Sequence, residues 1–310
     1  MWLSDANYVA AAGRAGGLGF ITPRSFPDAA AFRDELAKCA DLSEGKPFGV
    51  NLYISGRPGE NGSLPEWIEN SLAAGVRFFE SAGGPVGAVM SQLAATGARI
   101  IHKVTTIRHA LAAERAGVDV ISLVGAECGG HPGGNENSAL VLGALAKRAL
   151  SVPFVLGGGI GTGSQLAAAL ALGADGVVLG TRMTVADEIW SSRAYKERIV
   201  ACDEASTMTV LGSINKTMRV MRNETAESVR SIEDAGGDIL TDGRDMIRGA
   251  ILKGAYESGE WQNGLSSLGP SACFANSTAS VAEIFDEITV DAISSIGRLS
   301  ALEVSAAGSS

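Results

Sequence analysis

The stretch Pro153-Phe154-Val155-Leu156-Gly157-Gly158-Gly159-Ile160 is a short apolar run that ends in three consecutive glycines. A second run, Gly176-Val177-Val178-Leu179-Gly180-Thr181, follows one helix length later and also ends in glycine. Short apolar runs bounded by glycine are typical of buried strands, and parallel strands need a long, usually helical, connection between them. The two runs therefore predict consecutive parallel β-strands, each of which ends in backbone without side chains.

The same unit recurs through the earlier part of the chain. Five more runs have this composition, and they cover residues 18–22, 48–54, 77–81, 99–104 and 118–125. A glycine precedes most of them, as in Ala116-Gly117-Val118, and marks the end of a helix. Seven such units at a mean spacing of about 26 residues come close to the spacing in an eight-unit barrel of ~250 residues.

Two architectures alternate strands and helices, a doubly wound open sheet and a closed barrel. No dinucleotide fingerprint follows the first predicted strand, 18–22, and glycine-rich strand ends are spread along the chain. We therefore predict an α/β fold of the TIM (β/α)8-barrel type. The segment before the first helix, which begins near Ser4, is too short for a strand, so we expect strands 2 to 8 of the barrel, with the first strand either missing from this chain or replaced by a later segment.

The domain organisation changes after the seventh strand. Residues 1–185 are predicted to form the barrel, and residues 186–258, which are richer in charge and read as helices and loops without clear strands, a small helical domain at its mouth. Residues 259–300 are expected to return to the barrel and to end in an amphipathic helix from about Ser280 to Leu299. A flexible tail is expected at 301–310.

Composition excludes several classes of function. The chain has 25 Lys and Arg against 34 Asp and Glu, a net charge of −9, which argues against nucleic acid as a partner. The uncharged stretch 149–174 is interrupted by proline and glycines, so it predicts no membrane span. Four dispersed cysteines fit a reducing compartment, and no signal peptide is visible, so we expect a cytoplasmic protein.

Reactive groups in a barrel lie at the carboxyl ends of the strands. The glycines at 157–161 and the sequence Gly180-Thr181-Arg182 end the last two strands, where bare backbone N–H groups can hold a phosphate. Tight turns without a ligand are the alternative. Lys103 ends another strand, and its buried cation needs either an anionic ligand or a neighbouring carboxylate such as Glu80.

The loop Glu127–Asn135 contains the third candidate feature. His131 lies there between Gly130 and Pro132, where packing does not require an imidazole, so it is a candidate base or hydrogen-bond donor. Cys128 is expected to be a packing thiol, and the loop has no recognisable metal-ligand spacing, so no metal is predicted. His102 is expected to face away from Lys103 because strand side chains alternate.

Taken in order, these motifs resemble those of the nitronate monooxygenase (2-nitropropane dioxygenase) family, whose members are FMN-dependent barrel enzymes. The matching segments are Phe48-Gly49-Val50-Asn51, Ile101-His102-Lys103-Val104, Glu127-Cys128-Gly129-Gly130-His131-Pro132-Gly133, the triple glycine 157–159 and Gly180-Thr181-Arg182. The likeness spans residues 2 to 288. The segment from Glu127 to Gly133 looks especially like the branch that includes NADH:quinone reductases.

The resemblance implies FMN as the cofactor and assigns roles by position. Asn51 and Lys103 would contact the flavin, and His131 would face the substrate. The phosphate of the flavin would be held by Gly158, Gly159, Gly180 and Thr181. Glu127 and Gly130, in the matched loop, are further cofactor-binding candidates. Relatives begin with a strand whose final turn contacts the flavin, and this chain aligns just after it.

Three functions follow as alternatives. The first is oxidation of alkyl nitronates with O2, and the second is an FMN-dependent NADH:quinone reductase. The third is a barrel that binds a phosphorylated metabolite without turnover. The expected partners are a small-molecule substrate (a nitronate or a quinone, with NADH as a further option) and O2, and a homodimer is left open.

Overall fold

The fold is built on a parallel sheet that contains all seven predicted strands. A computed structural model describes residues 2–57, 59–134 and 136–307. The strands are β1 (Phe20–Ile21), β2 (Gly49–Ile54), β3 (Phe78–Gly83), β4 (Arg99–Val104), β5 (Val120–Val124), β6 (Phe154–Gly157) and β7 (Gly176–Val178). They pair in sequence order from β1 to β7. The prediction of a TIM-type α/β fold with seven strands is confirmed.

The described helices are α1 (Ala6–Arg14), α2 (Ala29–Leu42), α3 (Leu64–Ala73), α4 (Gly87–Leu93), α5 (Ile107–Arg115), α6 (Ala139–Ala149), α7 (Gly163–Ala171), α8 (Arg193–Val200), α9 (Glu224–Asp234), α10 (Gly249–Ser258) and α11 (Val281–Ala307). The six helices from α2 to α7 each connect two successive strands of the sheet. Side-chain caps begin many of the helices, and α7 has a capping box in which Thr162 and Gln165 bond to each other's backbone. These local signals fix where those helices begin.

Strand alternation separates the core from the inner face of the sheet. In β2 the side chains of Val50, Leu52 and Ile54 are buried among the helices, whereas Asn51 is half-buried on the inner face. The parallel register places Asn51 opposite Glu80 of β3. Polar residues of neighbouring strands are thereby brought side by side at the carboxyl end of the sheet, which we call the mouth.

The last helix packs on the barrel next to α7. Val281, Ile284 and Ile288 are buried in a cluster that also contains Ala11 and Ala12 of α1. At Gly163, the first residue of α7, a Cβ would lie only 2.1 Å from the carbonyl oxygen of Ile288, so the two helices touch through their backbones. The helix continues to Ala307. Residues 301–307 belong to this helix, and residues 308–310 lie outside the described residues. The flexibility of the tail at 301–310 stays a prediction.

One expectation about residues 186–258 was wrong. The region contains an antiparallel hairpin, formed by β8 (Thr207–Val210) and β9 (Met218–Met221), in addition to its helices. Alternation of threonine with apolar residues in β8 was the available signal, but the surrounding charges obscured it. The apolar face of the hairpin packs against α9 through Val220 and Val229. The domain boundaries themselves stay a prediction.

Across the described part of the chain, no helix has both the length and the apolar composition that crossing a membrane requires.

Candidate active site

Three polar side chains form a bonded group on the inner face of β2, β3 and β4, which we call the polar triad: Asn51, Glu80 and Lys103. The Glu80 carboxylate is buried, and its Oε1 and Oε2 atoms lie 2.9 and 3.0 Å from Lys103 Nζ. Asn51 donates from Nδ2 to the same carboxylate. An ammonium group has three N–H donors, and the amide of Asn51 also has a carbonyl oxygen, so both side chains retain capacity toward a ligand.

The triad supplies the partner that one of the two interpretations of Lys103 required, a carboxylate within the chain. The role of Lys103 in binding a ligand stays a prediction. Glu80 is the carboxylate that the sequence offered as the partner of Lys103, whereas its bond to Asn51 was not expected. The signal lay in the register, since Glu80 is the residue opposite Asn51.

His131 lies in an exposed loop that the hairpin holds in place. Its Nδ1 atom is 3.2 Å from the carbonyl oxygen of Thr217, just before β9, so Nδ1–H donates to that oxygen. Gly130 and Arg219 exchange two backbone hydrogen bonds, 2.9 and 2.7 Å long. The loop is thereby paired with the edge of β9, and the imidazole is left with Nε2 for other interactions. Neither Thr217 nor Arg219 was a candidate from the sequence.

Glu127 uses its carboxylate within the chain. Both oxygens accept from the backbone N–H of Ala139 at the start of α6, at 3.0 and 3.2 Å, where the partial positive charge of the helix favours an anion. This contact fixes the loop that carries Gly130 and His131. The predicted role of Glu127 in binding a cofactor stays a prediction. Asn135, at the end of the same loop, lies outside the described residues.

Backbone without side chains lines the opposite part of the mouth, and we call it the glycine rim: Gly158, Gly159, Gly180 and Thr181. Gly158 and Gly159 have φ angles of +103° and +72°, which disfavour any side chain. A Cβ at Gly158 would lie 2.9 Å from the backbone nitrogen of Gly125, so this glycine is also needed for packing. At Gly180 a Cβ would meet nothing within 4 Å, so open space lies beside that backbone.

Thr181, the last residue of the rim, and its neighbour Arg182 both bond to later parts of the chain. Thr181 Oγ1 accepts from the backbone N–H of Gly269 at 2.9 Å, which ties the returning segment to the end of β7. Arg182 is buried, and its Nη2 atom lies 2.8 Å from Glu287 of α11. Its Nε and Nη1 atoms are also buried and have no partner among the described residues. Unpaired buried N–H groups are costly, so this arginine has donor capacity that the described residues do not use.

Contacts between the loops join these parts into one mouth. A Cβ at Gly159 would lie 3.0 Å from Cβ of Glu127, so the glycine rim touches the loop of His131. Burial raises the pKa of the Cys128 thiol in that loop to about 11. It outweighs the positive charges of Lys103 and Arg219, which lower the pKa. A thiol with that pKa stays protonated near neutral pH and is a poor nucleophile, as predicted for a packing cysteine.

His102 lies on the face of β4 opposite to that of Lys103. Its Nδ1 atom is 2.8 Å from Ser81 Oγ, and the ring is buried among the outer residues, as the alternation predicted. Burial lowers the pKa of His102. Within residues 2–57, 59–134 and 136–307 no group of three or more His, Cys, Asp or Glu side chains could hold a metal ion.

Comparison with known proteins finds one matching family model and several similar sequences. The family model described as nitronate monooxygenase matches residues 66–291. A 5-hydroxy-7a-methyl-1-oxo-octahydro-1H-indene-4-carboxyl-CoA dehydrogenase from Mycobacterium tuberculosis is 26% identical over 97% of this chain and 93% of its own. A probable nitronate monooxygenase from Staphylococcus saprophyticus is 26% identical over 82% of each chain.

A solved structure has the same fold. FabK from Thermotoga maritima superimposes with a TM-score of 0.87 at 26% identity, over 97% of this chain and 93% of that chain. The family model covers well over half of this chain, including the polar side chains of β3 and β4, the loop of His131 and the glycine rim. The chain therefore belongs to the nitronate monooxygenase family and is an oxidoreductase.

Proposed function

We propose that this chain is an FMN-dependent oxidoreductase that oxidises alkyl nitronates with O2. The observation that carries the proposal is the division of the mouth into two unlike parts. Bare backbone at the ends of β6 and β7 suits a phosphate, whereas the polar triad and His131 present side chains that can bind a polar ring and an anionic substrate. Membership of the family supports the same conclusion.

The bare backbone of the glycine rim fits the phosphate of FMN. The space beside Gly180 would accept a group that a side chain would displace. Gly158, Gly159, Gly180 and Thr181 would hold the phosphate. The ring system would meet Asn51, Lys103 and the loop of Glu127 and Gly130. When bound, FMN would take electrons from the substrate and pass them to oxygen.

The side chains of the mouth have separate tasks in this proposal. Because the Thr217 carbonyl holds the Nδ1–H of His131, the neutral ring presents Nε2 as an acceptor and the protonated ring presents Nε2–H as a donor. A protonated His131 would bind a nitronate oxygen, and a neutral one would accept a proton. Glu80 keeps the charge of Lys103 in place, so the ammonium group is already oriented before a ligand binds.

A spectrum and a substitution test the proposal together. Purified protein should show the absorption of bound flavin, and under anaerobic conditions an alkyl nitronate should bleach it. His131→Asn should lower kcat/KM for the nitronate about 10²-fold, a typical effect for a residue in proton transfer, and should keep the flavin. Colourless protein that cannot take up FMN would contradict the cofactor, and would favour a barrel that binds phosphorylated metabolites without turnover.

An NADH:quinone reductase is the second candidate. The similarity to a dehydrogenase over 97% of this chain favours it, because a dehydrogenase passes electrons between two substrates without adding oxygen. Bleaching of the flavin by NADH, and not by a nitronate, would replace the first proposal with this one. Mixing each substrate with the same anaerobic sample separates the two.

Location and assembly belong to the proposal as well. We place the protein in the cytoplasm, because Cys39, Cys128, Cys202 and Cys273 are all free thiols. A homodimer is the assembly that we propose to test. Light scattering at several protein concentrations would decide between one chain and two.

A further inference from the structure

A second concave site lies outside the mouth, on the hairpin and α9. It has a volume of about 380 Å³. We call it the arginine groove, and its lining residues are Met208, Thr209, Arg219, Arg222, Glu227 and Arg230. Three of these six side chains are arginines, so the groove differs in charge from the chain as a whole, whose net charge is −9.

Each arginine of the groove is anchored and still has free donor capacity. Arg222 Nη1 lies 2.6 Å from Glu227, Arg230 Nε lies 3.0 Å from Asp234, and Arg219 Nε donates to a backbone carbonyl. A guanidinium group has five N–H donors, so each anchor leaves several unused. Two carboxylates facing three guanidinium groups leave one excess positive charge.

The groove is connected to the mouth through Arg219. The backbone of Arg219 pairs with Gly130, and its Nε atom is 3.2 Å from the carbonyl oxygen of Ala126, just past the end of β5. Thr217, which holds His131, is two residues earlier in the chain, roughly 7 Å at the rise of an extended strand. The groove therefore shares Arg219 with the strand edge that holds the loop of His131.

We propose that the arginine groove binds the diphosphate of an extended ligand whose reactive end lies at His131. Guanidinium groups bind phosphate oxygens through paired, charge-assisted hydrogen bonds, and a diphosphate offers enough oxygens for more than one arginine. Nicotinamide dinucleotides and CoA thioesters share this chemistry. The inference goes beyond nitronate oxidation, since a simple alkyl nitronate has no phosphate, and it rests on the proposed function only in placing the reactive end at His131.

Binding measurements on the full chain test the proposal. Isothermal titration calorimetry with inorganic pyrophosphate, NADH, NADPH and CoA should detect binding by pyrophosphate and by a nucleotide. The variant Arg222→Gln/Arg230→Gln should weaken that binding at least about tenfold, because two charge-assisted contacts are lost. Arg193→Gln, a surface arginine of α8 in an i,i+4 pair, is the matched control and should bind like the wild type.

A third variant keeps the test decisive if the double variant folds poorly. Glu227→Gln removes the carboxylate that occupies Arg222, so it should tighten pyrophosphate binding. Binding of NADH but not CoA would identify the ligand as a dinucleotide, and the reverse would identify a CoA thioester. Equal affinity in the wild type and the variants, or binding by pyrophosphate alone, would overturn the proposal. Nitronate turnover is read separately, so a failure there is distinguishable from a failure here.

Discussion

The two parts of the mouth are built from different components of the polypeptide. In the polar triad, function depends on side chains, and Glu80 holds both Asn51 and Lys103. In the glycine rim it depends on backbone, and Gly158 packs directly on the backbone of Gly125. The stability of the triad should therefore tolerate changes of size but not of charge, whereas at Gly158 in the rim it should be sensitive to a single methyl group. Substitutions in the triad and in the rim, each with a matched control, test whether this difference holds.

Gly158→Ala should have the largest effect on stability. The added Cβ would lie 2.9 Å from a backbone nitrogen at a φ of +103°, and neither the backbone nor the angle can relax cheaply. We expect the free energy of unfolding to fall by roughly 2–4 kcal/mol, measured by urea denaturation. Gly180→Ala is the control, since its Cβ meets nothing. Equal stability of both variants would show that backbone contact does not define the rim.

Glu80→Gln should be the next most damaging change. It keeps the shape of the triad but leaves the Lys103 cation without its partner. Breaking a fully buried ion pair costs about 3–5 kcal/mol, and because the Lys103 side chain is 32% exposed we expect a smaller loss of about 1–3 kcal/mol.

The matched control for this variant is an exposed ion pair. Glu197→Gln removes the partner of Arg193 in α8, where the two side chains are 89% and 58% exposed for the arginine and the glutamate, and should cost less than about 0.5 kcal/mol. Adding Lys103→Met to Glu80→Gln removes the unpaired charge and should restore part of the loss. No restoration would mean that Glu80 acts through shape and not through charge.

Gly180→Ala should separate cofactor binding from folding. The variant should be as stable as the wild type, within about 0.5 kcal/mol, because the methyl group points into open space. If the phosphate of FMN uses that space, the dissociation constant for FMN should rise about tenfold, equivalent to about 1.4 kcal/mol. Fluorescence titration of apoprotein with FMN measures it. Unchanged affinity would place the phosphate elsewhere.

Much of the fold was predictable from the sequence because its signals are local. Runs such as 99–104 and glycines such as Gly117 report strand ends and helix ends within a few residues, and all seven strands were found from them. The hairpin β8–β9 was missed, because its pairing joins residues across a loop and its short strands lie in a charged region.

The sequence offers site candidates where a residue type is unusual for its position. Glycines at a strand end and a histidine in a glycine-rich loop stand out, and Lys103 pointed to Glu80 as a partner, whereas Thr217 and Arg219 do not stand out. Thr217 acts through its backbone carbonyl, which any residue could supply, and Glu80 matters only through the register of β2 and β3. Residues that act only through contacts formed in the folded chain leave no pattern in the local sequence.

The smallest expected effect is the pH dependence of stability that comes from His102, a buried side chain on the outer face of β4. Burial lowers the pKa of His102, so the folded chain resists a proton that the unfolded chain accepts. As the pH falls through the ordinary range of histidine, about 6.5, the free energy of unfolding should therefore decrease, and His102→Gln should flatten this slope between about pH 7.5 and 5.5. If the His102→Gln curve is parallel to that of the wild type, His102 takes up its proton equally in both states, and burial on the outer face of β4 does not control it.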